Sequence, residues 1–531
     1  MLRILLVFIF LGAFMSAKDV ARDANVKASD NTQSIKKKEQ KIAQKTPKDT
    51  KNPKGVAVGY KNQNTQEKRA EYKSQSVNEN KTDYKTQSTQ AKKANYKSQS
   101  GGKMGYKSQS IKGGKMEYKS QDSLTFLEVK GVKIPVIFES SKVLPIGHLE
   151  LNFIGGGSVF NPPKKPLSKV GANLLNYGTK TLGNVGFANL LESKAISLQA
   201  SDSPSTLSIS LDFLSEFEDF ALERLADLLQ NPNLTQKALN DIQTKLKATL
   251  LSKSADFDYQ ARILLYKSVF AHTPLAYPAL GNNAKEIDSV DLKDVKGYLD
   301  SNLVLSRLTI VLGGDLDIES SLKKIKNILA NLSVGTSVDT PHYAVKPATI
   351  KEVKKDTQQA FIYFASPLAL SDMRQEAYKA RVVGFILGSS GFGSRLMEEI
   401  RVKRGLAYSA YMYPNLTRLS THFVGQMQTA LDKQDEAIKI TQDLLNEFVK
   451  NGATAEELES AKQFILGNKP LQEETLEQRL GAKYNYFMSD LPLDYRDEFV
   501  RQVQELDLAT LNAYIKAHPE IANVTFAVIR N

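Results

Sequence analysis

The residues able to do chemistry in this 531-residue chain are few. It has no cysteine, which excludes thiol nucleophiles, disulfide frameworks and thiolate zinc sites. Its five histidines, His148, His272, His342, His422 and His518, are spread so that no two make a local metal-ligand pair. His272, in the stretch Phe-Ala-His-Thr-Pro, reads as a structural residue rather than a ligand. No Ser-His-Asp order and no carboxylate pair stands out among the 58 Asp and Glu residues. The triplet Gly155-Gly156-Gly157 is not a phosphate-cradling loop, because no Lys-Ser/Thr follows it at the spacing such a loop requires. No local motif supplies an active site by itself.

The elements that would carry a site begin at Leu124–Phe138, where alternation around Gly131 predicts a β-hairpin. Leu149–Ile154 predicts another strand, ending at the glycine triplet. Helical periodicity follows at Leu167–Tyr177, Phe217–Leu229, Gln236–Lys253 and Gln260–Phe270. A strand at Leu308–Gly314 leads into a helix at Ile318–Leu332. Pro341–Pro347 is polar, bounded by proline and without periodicity, which predicts a linker over 341–350. The pattern then restarts. A strand at Ala360–Ala365 precedes helices at Glu376–Leu387 and Arg395–Lys403. A strand at Leu406–Tyr413 precedes helices at Glu436–Lys450 and Ala455–Leu466, and Asn523–Ile529 is the last strand. Strands and helices in similar order twice over predict an α+β protein with two tandem homologous domains, 123–340 and 351–531. Each is expected to be a mostly antiparallel sheet with helices packed on one face.

The N-terminal part differs in kind. Arg3, the apolar run Ile4–Met15 and the switch Ser16-Ala17-Lys18-Asp19 predict a secretory signal peptide over 1–17 and export to the periplasm or cell envelope. An uncleaved membrane anchor is the alternative, although the apolar run is short for a span. Residues 18–122 hold 25 Lys and Arg against 11 Asp and Glu with almost no aliphatic clusters, which predicts disorder. The chain's net charge of +13 belongs to this segment, since 45 basic residues face 47 acidic ones from Ser123 onward. Six Tyr-Lys-x-Gln units open at Tyr60, Tyr72, Tyr84, Tyr96, Tyr106 and Tyr118, twelve residues apart except for one step of ten. Lysine interleaved with tyrosine could bind an anionic envelope polymer or lipid; the plainer reading is a spacer grown by duplication. Nucleic acid is not expected as a partner.

From residue 124 onward the chain resembles the insulinase/pitrilysin zinc metallopeptidase family, in the bacterial branch close to processing peptidases. The resemblance is carried by Gly156-Gly157-Ser158, by Gly171-Ala-Asn-Leu-Leu-Asn-Tyr-Gly and by Val269-Phe-Ala-His-Thr-Pro. It is strongest in Leu387-Gly-Ser-Ser-Gly-Phe-Gly-Ser-Arg-Leu-Met-Glu-Glu-Ile-Arg-Val-Lys-Arg-Gly-Leu-Ala-Tyr-Ser, with Asn451-Gly-Ala-Thr-Ala-Glu-Glu-Leu as a further match. Active members carry His-x-x-Glu-His on the first of these helices, which places two zinc ligands and a water-activating Glu on one face. The matching positions here are Asn173, Asn176 and Tyr177, and the later Glu ligand matches Thr249. A neutral amide is a poor ligand, Asn176 cannot take a proton from water, and a tyrosine would have to ionise from about pKa 10. The resemblance therefore implies that this chain binds no cofactor and that zinc would sit in a partner subunit.

The family also has an Arg and a Tyr seven residues apart that reach toward the zinc site and hold substrate backbone and oxyanion. Those positions are Arg401 and Tyr408. A guanidinium and a phenol can donate several hydrogen bonds toward developing negative charge. Two blander readings stand beside this one. Arg401 lies among Arg395, Lys403 and Arg404, ordinary complements of a helix C-terminus, and Tyr408 alternates with Ala410 as a core-facing strand residue would. The expected function is that of a non-zinc-binding subunit, inactive alone. It would supply Arg401 and Tyr408, and hold a peptide or unfolded protein, for a related subunit bearing His-x-x-Glu-His. The alternative is a non-proteolytic peptide-binding or scaffold protein of the cell envelope.

Overall fold

The computed structural model describes residues 123–468 and 470–531. The expected signal peptide and the tyrosine repeats lie outside the described residues. The strands are β1 (Leu124–Val129), β2 (Val132–Ser140), β3 (Ile146–Ile154), β4 (Ser197–Asp202), β5 (Thr206–Leu214), β6 (Leu308–Gly314), β7 (Lys351–Lys354), β8 (Gln359–Pro367), β9 (Ala407–Leu416), β10 (Thr421–Ala430) and β11 (Thr525–Arg530). The longer helices of the first half are α1 (Leu167–Leu175), α2 (Gly183–Glu192), α3 (Glu218–Gln230), α4 (Gln236–Ser254), α5 (Phe257–Val269), α6 (Leu292–Asn302) and α7 (Ile318–Leu329). Those of the second half are α8 (Met373–Gly384), α9 (Gln434–Asn451), α10 (Ala455–Asn468), α11 (Leu476–Met488), α12 (Tyr495–Glu505) and α13 (Leu508–Ala517).

Their limits follow from local chemistry. Lys130 and Gly131 both take positive φ, closing the β1–β2 hairpin with a two-residue turn. Asp256 caps α5 by accepting from the Tyr259 N–H at 3.0 Å, so that helix starts earlier than periodicity suggested. Thr475 and Gln478 form a reciprocal capping box at the start of α11.

The two sheets repeat one topology. Their strand orders are β1-β2-β6-β3-β5-β4 and β7-β11-β8-β10-β9. In each, one pair is parallel, β2 with β6 and β7 with β11, and every other neighbour is antiparallel. β7 to β11 thus retrace β2 to β6, with β1 added at the edge of the first sheet. The α+β class and the duplicated, mostly antiparallel plan are as expected.

The packing adds an exchange between the halves. Strand residues that alternate toward each half's own helices, such as Val136, Phe138, Ile310 and Leu312, fill the first core, and Ile362, Phe364, Phe526 and Val528 fill the second. The residues between them point the other way and are buried too. Ile137 and Val311 meet Leu480 of α11, a helix from the second half. Tyr363, Ala365, Ala527 and Ile529 meet Ala261, Leu265, Val269 and Phe270 at α5, from the first half. Each half therefore lends one helix to the opposite sheet's free face.

Polar contacts fix both loans. Arg479 and Lys483 of α11 donate to the Glu139 carboxylate at 2.6 and 2.8 Å. Burial alone would raise the Glu139 carboxyl, but these two hydrogen bonds outweigh it and hold the group below the usual carboxylate range. On the other side Tyr363 donates to Asp258 at 2.9 Å. The segment 341–350 has no regular structure, yet Val345 is buried in this second interface, and the N–H groups of Tyr343 and Lys346 donate to Leu419 and Val269 at 2.7 and 2.9 Å.

Candidate functional site

The positions matching the zinc motif lie at the end of α1. That helix stops at Leu175, short of the expected Tyr177, with Asn176 as its C-cap and the Tyr177 N–H donating back to the Leu174 carbonyl at 2.9 Å. The side chains here serve the fold. Asn173 donates to the Lys169 carbonyl at 2.8 Å. Asn176 clamps strand β4, donating to the Ala200 carbonyl at 2.7 Å and accepting from the Ala200 N–H at 2.6 Å. Tyr177 donates to Asp241 of α4 at 3.0 Å, and Lys245 lies 4.9 Å from its ring centroid. Burial, and then the neighbouring Asp241 carboxylate, push the Tyr177 phenol above its ordinary range. Thr249, on α4, donates to the Lys245 carbonyl of its own helix at 3.0 Å.

These residues do not fit a zinc ion. Two amides and a hydroxyl are committed to backbone groups, and the phenol is held protonated by the carboxylate that accepts from it. Among the described residues no group of three or more His, Asp or Glu is placed to hold a metal. His272 is exposed, with φ of 65° in the turn after α5.

The second-half pair is built differently. The expected helix at Arg395–Lys403 is a single α turn, Arg395–Met397, followed by a π-helical segment, Glu398–Val402, that carries Arg401. The wide turn is marked by Lys403 N–H donating to the Glu398 carbonyl at 2.9 Å, five residues back. Gly405, at φ 63°, ends it in the left-handed conformation, with its own N–H on Arg401 and the Leu406 N–H on Ile400.

Strand β9 then begins with a second irregularity. Met427 pairs with Ala410 but Thr429 pairs with Ala407, so β9 carries one extra residue between them. This β-bulge puts Ala407 and Ala410 both on the buried side and turns Tyr408 outward, where it is 76% exposed. The Tyr408–Ala410 alternation expected for a core-facing strand is thereby broken. Simple period-two reasoning fails because one inserted residue reverses the parity of everything before it.

The two irregular segments meet. The Arg401 guanidinium carbon lies 4.4 Å from the centroid of the Tyr408 ring and 4.6 Å from that of Phe392, a third residue that sequence reasoning missed. Phe392 is 57% exposed, and glycines at φ 70° and 86° flank it, so the loop Gly391-Phe392-Gly393 holds its ring against Arg401. A large aromatic between two glycines in a loop was the available signal.

The neighbouring basic residues, by contrast, are spent. Arg395 makes a two-pronged pair with Glu457 at 2.6 and 2.8 Å, and Lys403 and Arg404 both hold Glu399. Those hydrogen bonds keep the Glu399 carboxyl below its ordinary range. Arg401, in the last turn of the π segment, makes no side-chain hydrogen bond or ion pair among the described residues. The structure brings Arg401 and Tyr408 together; Asn173, Asn176, Tyr177 and Thr249 gather separately around α1 and α4.

Known proteins place this architecture. The family described as peptidase M16 inactive domain matches residues 289–465. A Helicobacter pylori protein named as the non-peptidase homolog YmxG is 43% identical over 410 residues, covering 77% of this chain and 94% of that protein. A Bacillus subtilis protein named as the uncharacterized zinc protease YmxG is 22% identical, covering 56% of this chain and 72% of that protein. A peptidase M16 inactive domain structure from Pseudomonas fluorescens superposes with a TM-score of 0.70 at 23% identity, over 77% of this chain and 97% of that one. The chain belongs to the insulinase/pitrilysin (M16) metallopeptidase family, as a member in which the zinc-binding motif has been replaced.

Proposed function

We propose that this protein is the exported, non-zinc-binding subunit of a two-chain metallopeptidase. A second family member would bring the His-x-x-Glu-His site. Arg401 and Tyr408 would hold the peptide and donate hydrogen bonds toward the oxyanion that develops during its hydrolysis. One observation carries this reading: side-chain polar atoms at the zinc-motif positions are engaged within the chain, whereas the Arg401 guanidinium has aromatic neighbours but no acceptor among the described residues.

The test has two stages. Affinity capture of the full exported protein from its own cell envelope should bring down a stoichiometric family member with an intact zinc motif. In the purified complex, Arg401→Ala with Tyr408→Phe should lower kcat for peptide hydrolysis by about 10²–10³-fold. Full activity in that double variant would end the proposal. A second reading, a non-proteolytic peptide-binding scaffold of the envelope, is favoured by the name of the Helicobacter pylori relative, a non-peptidase homolog. Capture of an unrelated membrane protein, or of the chain alone, would support it.

A further inference from the structure

The geometry points to a carboxylate as the group recognised by Arg401, with Phe392 as the residue that positions it; we infer that the site takes a peptide through a carboxylate-bearing residue. This rests on the proposed peptide-holding role of Arg401 and names the chemistry it would select.

A guanidinium is a flat fork of five N–H donors. Its faces can stack on aromatic rings, but its hydrogen bonds lie in its plane. In this protein two aromatic rings flank Arg401 within cation–π range, Phe392 at 4.6 Å and Tyr408 at 4.4 Å. The capacity left over is in the plane, and no acceptor in the described chain uses it. Of the acids nearby, Glu399 is held by Lys403 and Arg404 and Glu457 by Arg395, and Glu398, on the same π segment, makes no ion pair with Arg401. The in-plane donors therefore face solvent and are available to an acceptor from outside the chain.

A neutral peptide carbonyl presents one oxygen to such a fork. A carboxylate presents two at matching separation and also neutralises the charge, making a bidentate, charge-assisted pair. The rings matter because a free arginine side chain loses rotamer freedom when it binds, and stacking in the unbound protein removes much of that loss in advance. Phe392 is suited to this because the glycine pair around it, both at positive φ, sets the loop's path. It contacts the guanidinium from a chain segment separate from both the π segment and β9. The exposure of Phe392 and Tyr408, 57% and 76%, leaves the cluster open to an incoming chain.

A carboxylate can be the C-terminus of a peptide or an Asp or Glu side chain within it. Fluorescence anisotropy on the full chain, with N-terminally labelled Ala/Leu hexapeptides, separates these sources. Three probes are used: a free C-terminus, a C-terminal amide, and an amide with one internal Glu. A carboxylate probe should bind at least about tenfold tighter than the plain amide. Preference for the free C-terminus assigns chain ends, and preference for the Glu peptide assigns side chains.

Arg401→Gln and Arg401→Lys should both lose the preference, the latter because an ammonium keeps the charge but not the fork. Phe392→Ala should weaken carboxylate binding about three- to tenfold, and Phe392→Tyr should restore it. Equal binding of all three probes, or an unchanged preference in Arg401→Lys, overturns the inference. Hydrolysis by the two-chain complex that depends on Arg401 but ignores the carboxylate would sink this inference and leave the proposed function standing. A carboxylate preference without Arg401-dependent hydrolysis would do the reverse.

Discussion

The end of α1 in the first half and the Phe392–Arg401–Tyr408 cluster in the second present opposite solutions to the same problem of placing polar groups at the surface. At the end of α1 the local backbone is near-helical, and Asn173, Asn176 and Tyr177 all find partners in the chain, two of them in neighbouring elements. At the second site a π-helical segment and a β-bulge each insert one residue, and the half-buried arginine they position makes no hydrogen bond within the described chain. A family site that loses its metal leaves polar residues that must be satisfied internally or face a desolvation cost. A site that still meets a ligand can keep its donors free and retain irregular backbone to aim them. On the proposed function, the difference between the halves is one between residues that serve the fold and residues that serve binding.

The same comparison can be broken at the level of the fold. If the exchange of α5 and α11 makes the halves one cooperative unit, Phe270→Ala should destabilise the whole protein by about 3–5 kcal/mol in a single transition, because Phe270 is 1% exposed in the exchanged interface. Denaturant unfolding followed by circular dichroism checks this, and two separate transitions would show that the halves are independent.

His422 probes that interface with pH. It sits on β10 with its ring edge-on to Phe270 and Tyr266. Burial, helped by nearby His342, pushes its imidazole down to about 4 from an ordinary 6.5. The unfolded chain therefore takes up the proton first, so stability present above about pH 6.5 is lost as pH falls toward 4. The expected loss is about 3 kcal/mol. Comparing denaturant midpoints at pH 7 and 4.5 in the natural protein and in His422→Phe should show the larger drop in the former; equal drops would place the imidazole in water.

Smaller effects sharpen the contrast between the two sites. Asn176→Ala removes both hydrogen bonds to Ala200 and should cost about 1–2 kcal/mol, with faster amide exchange along the edge strand β4. Arg401→Ala, at a half-buried position with two ring contacts but no hydrogen bond, should cost about 1 kcal/mol, and Tyr408→Phe, at an exposed position without a hydrogen bond from its hydroxyl, less than about 0.5 kcal/mol. A cost above 2 kcal/mol for Arg401→Ala would mean that it serves the fold after all, as Asn176 does.

Much of this protein was determined by its sequence alone. The repeated order of alternating and 3.6-period segments specified a duplicated α+β plan, because amphipathic elements have few ways to bury one face each. The absence of cysteine and the identities of Asn173, Asn176, Tyr177 and Thr249 determined that the usual zinc ligands are missing, since ligand chemistry resides in residue type. The exchange of α5 and α11 left only an indirect trace, the apolar residues on both faces of Leu308–Leu312 and Phe361–Ala365, which require cover without saying what supplies it.

Tertiary structure alone decided the rest. Period-two patterning assumes regular pairing, and only the register between β9 and β10 places the bulge that turns Tyr408 outward. Phe392 meets Arg401 because a glycine-flanked loop, a widened helical turn and a bulged strand converge. Their contact depends on the positions of three backbones, which no local spacing encodes.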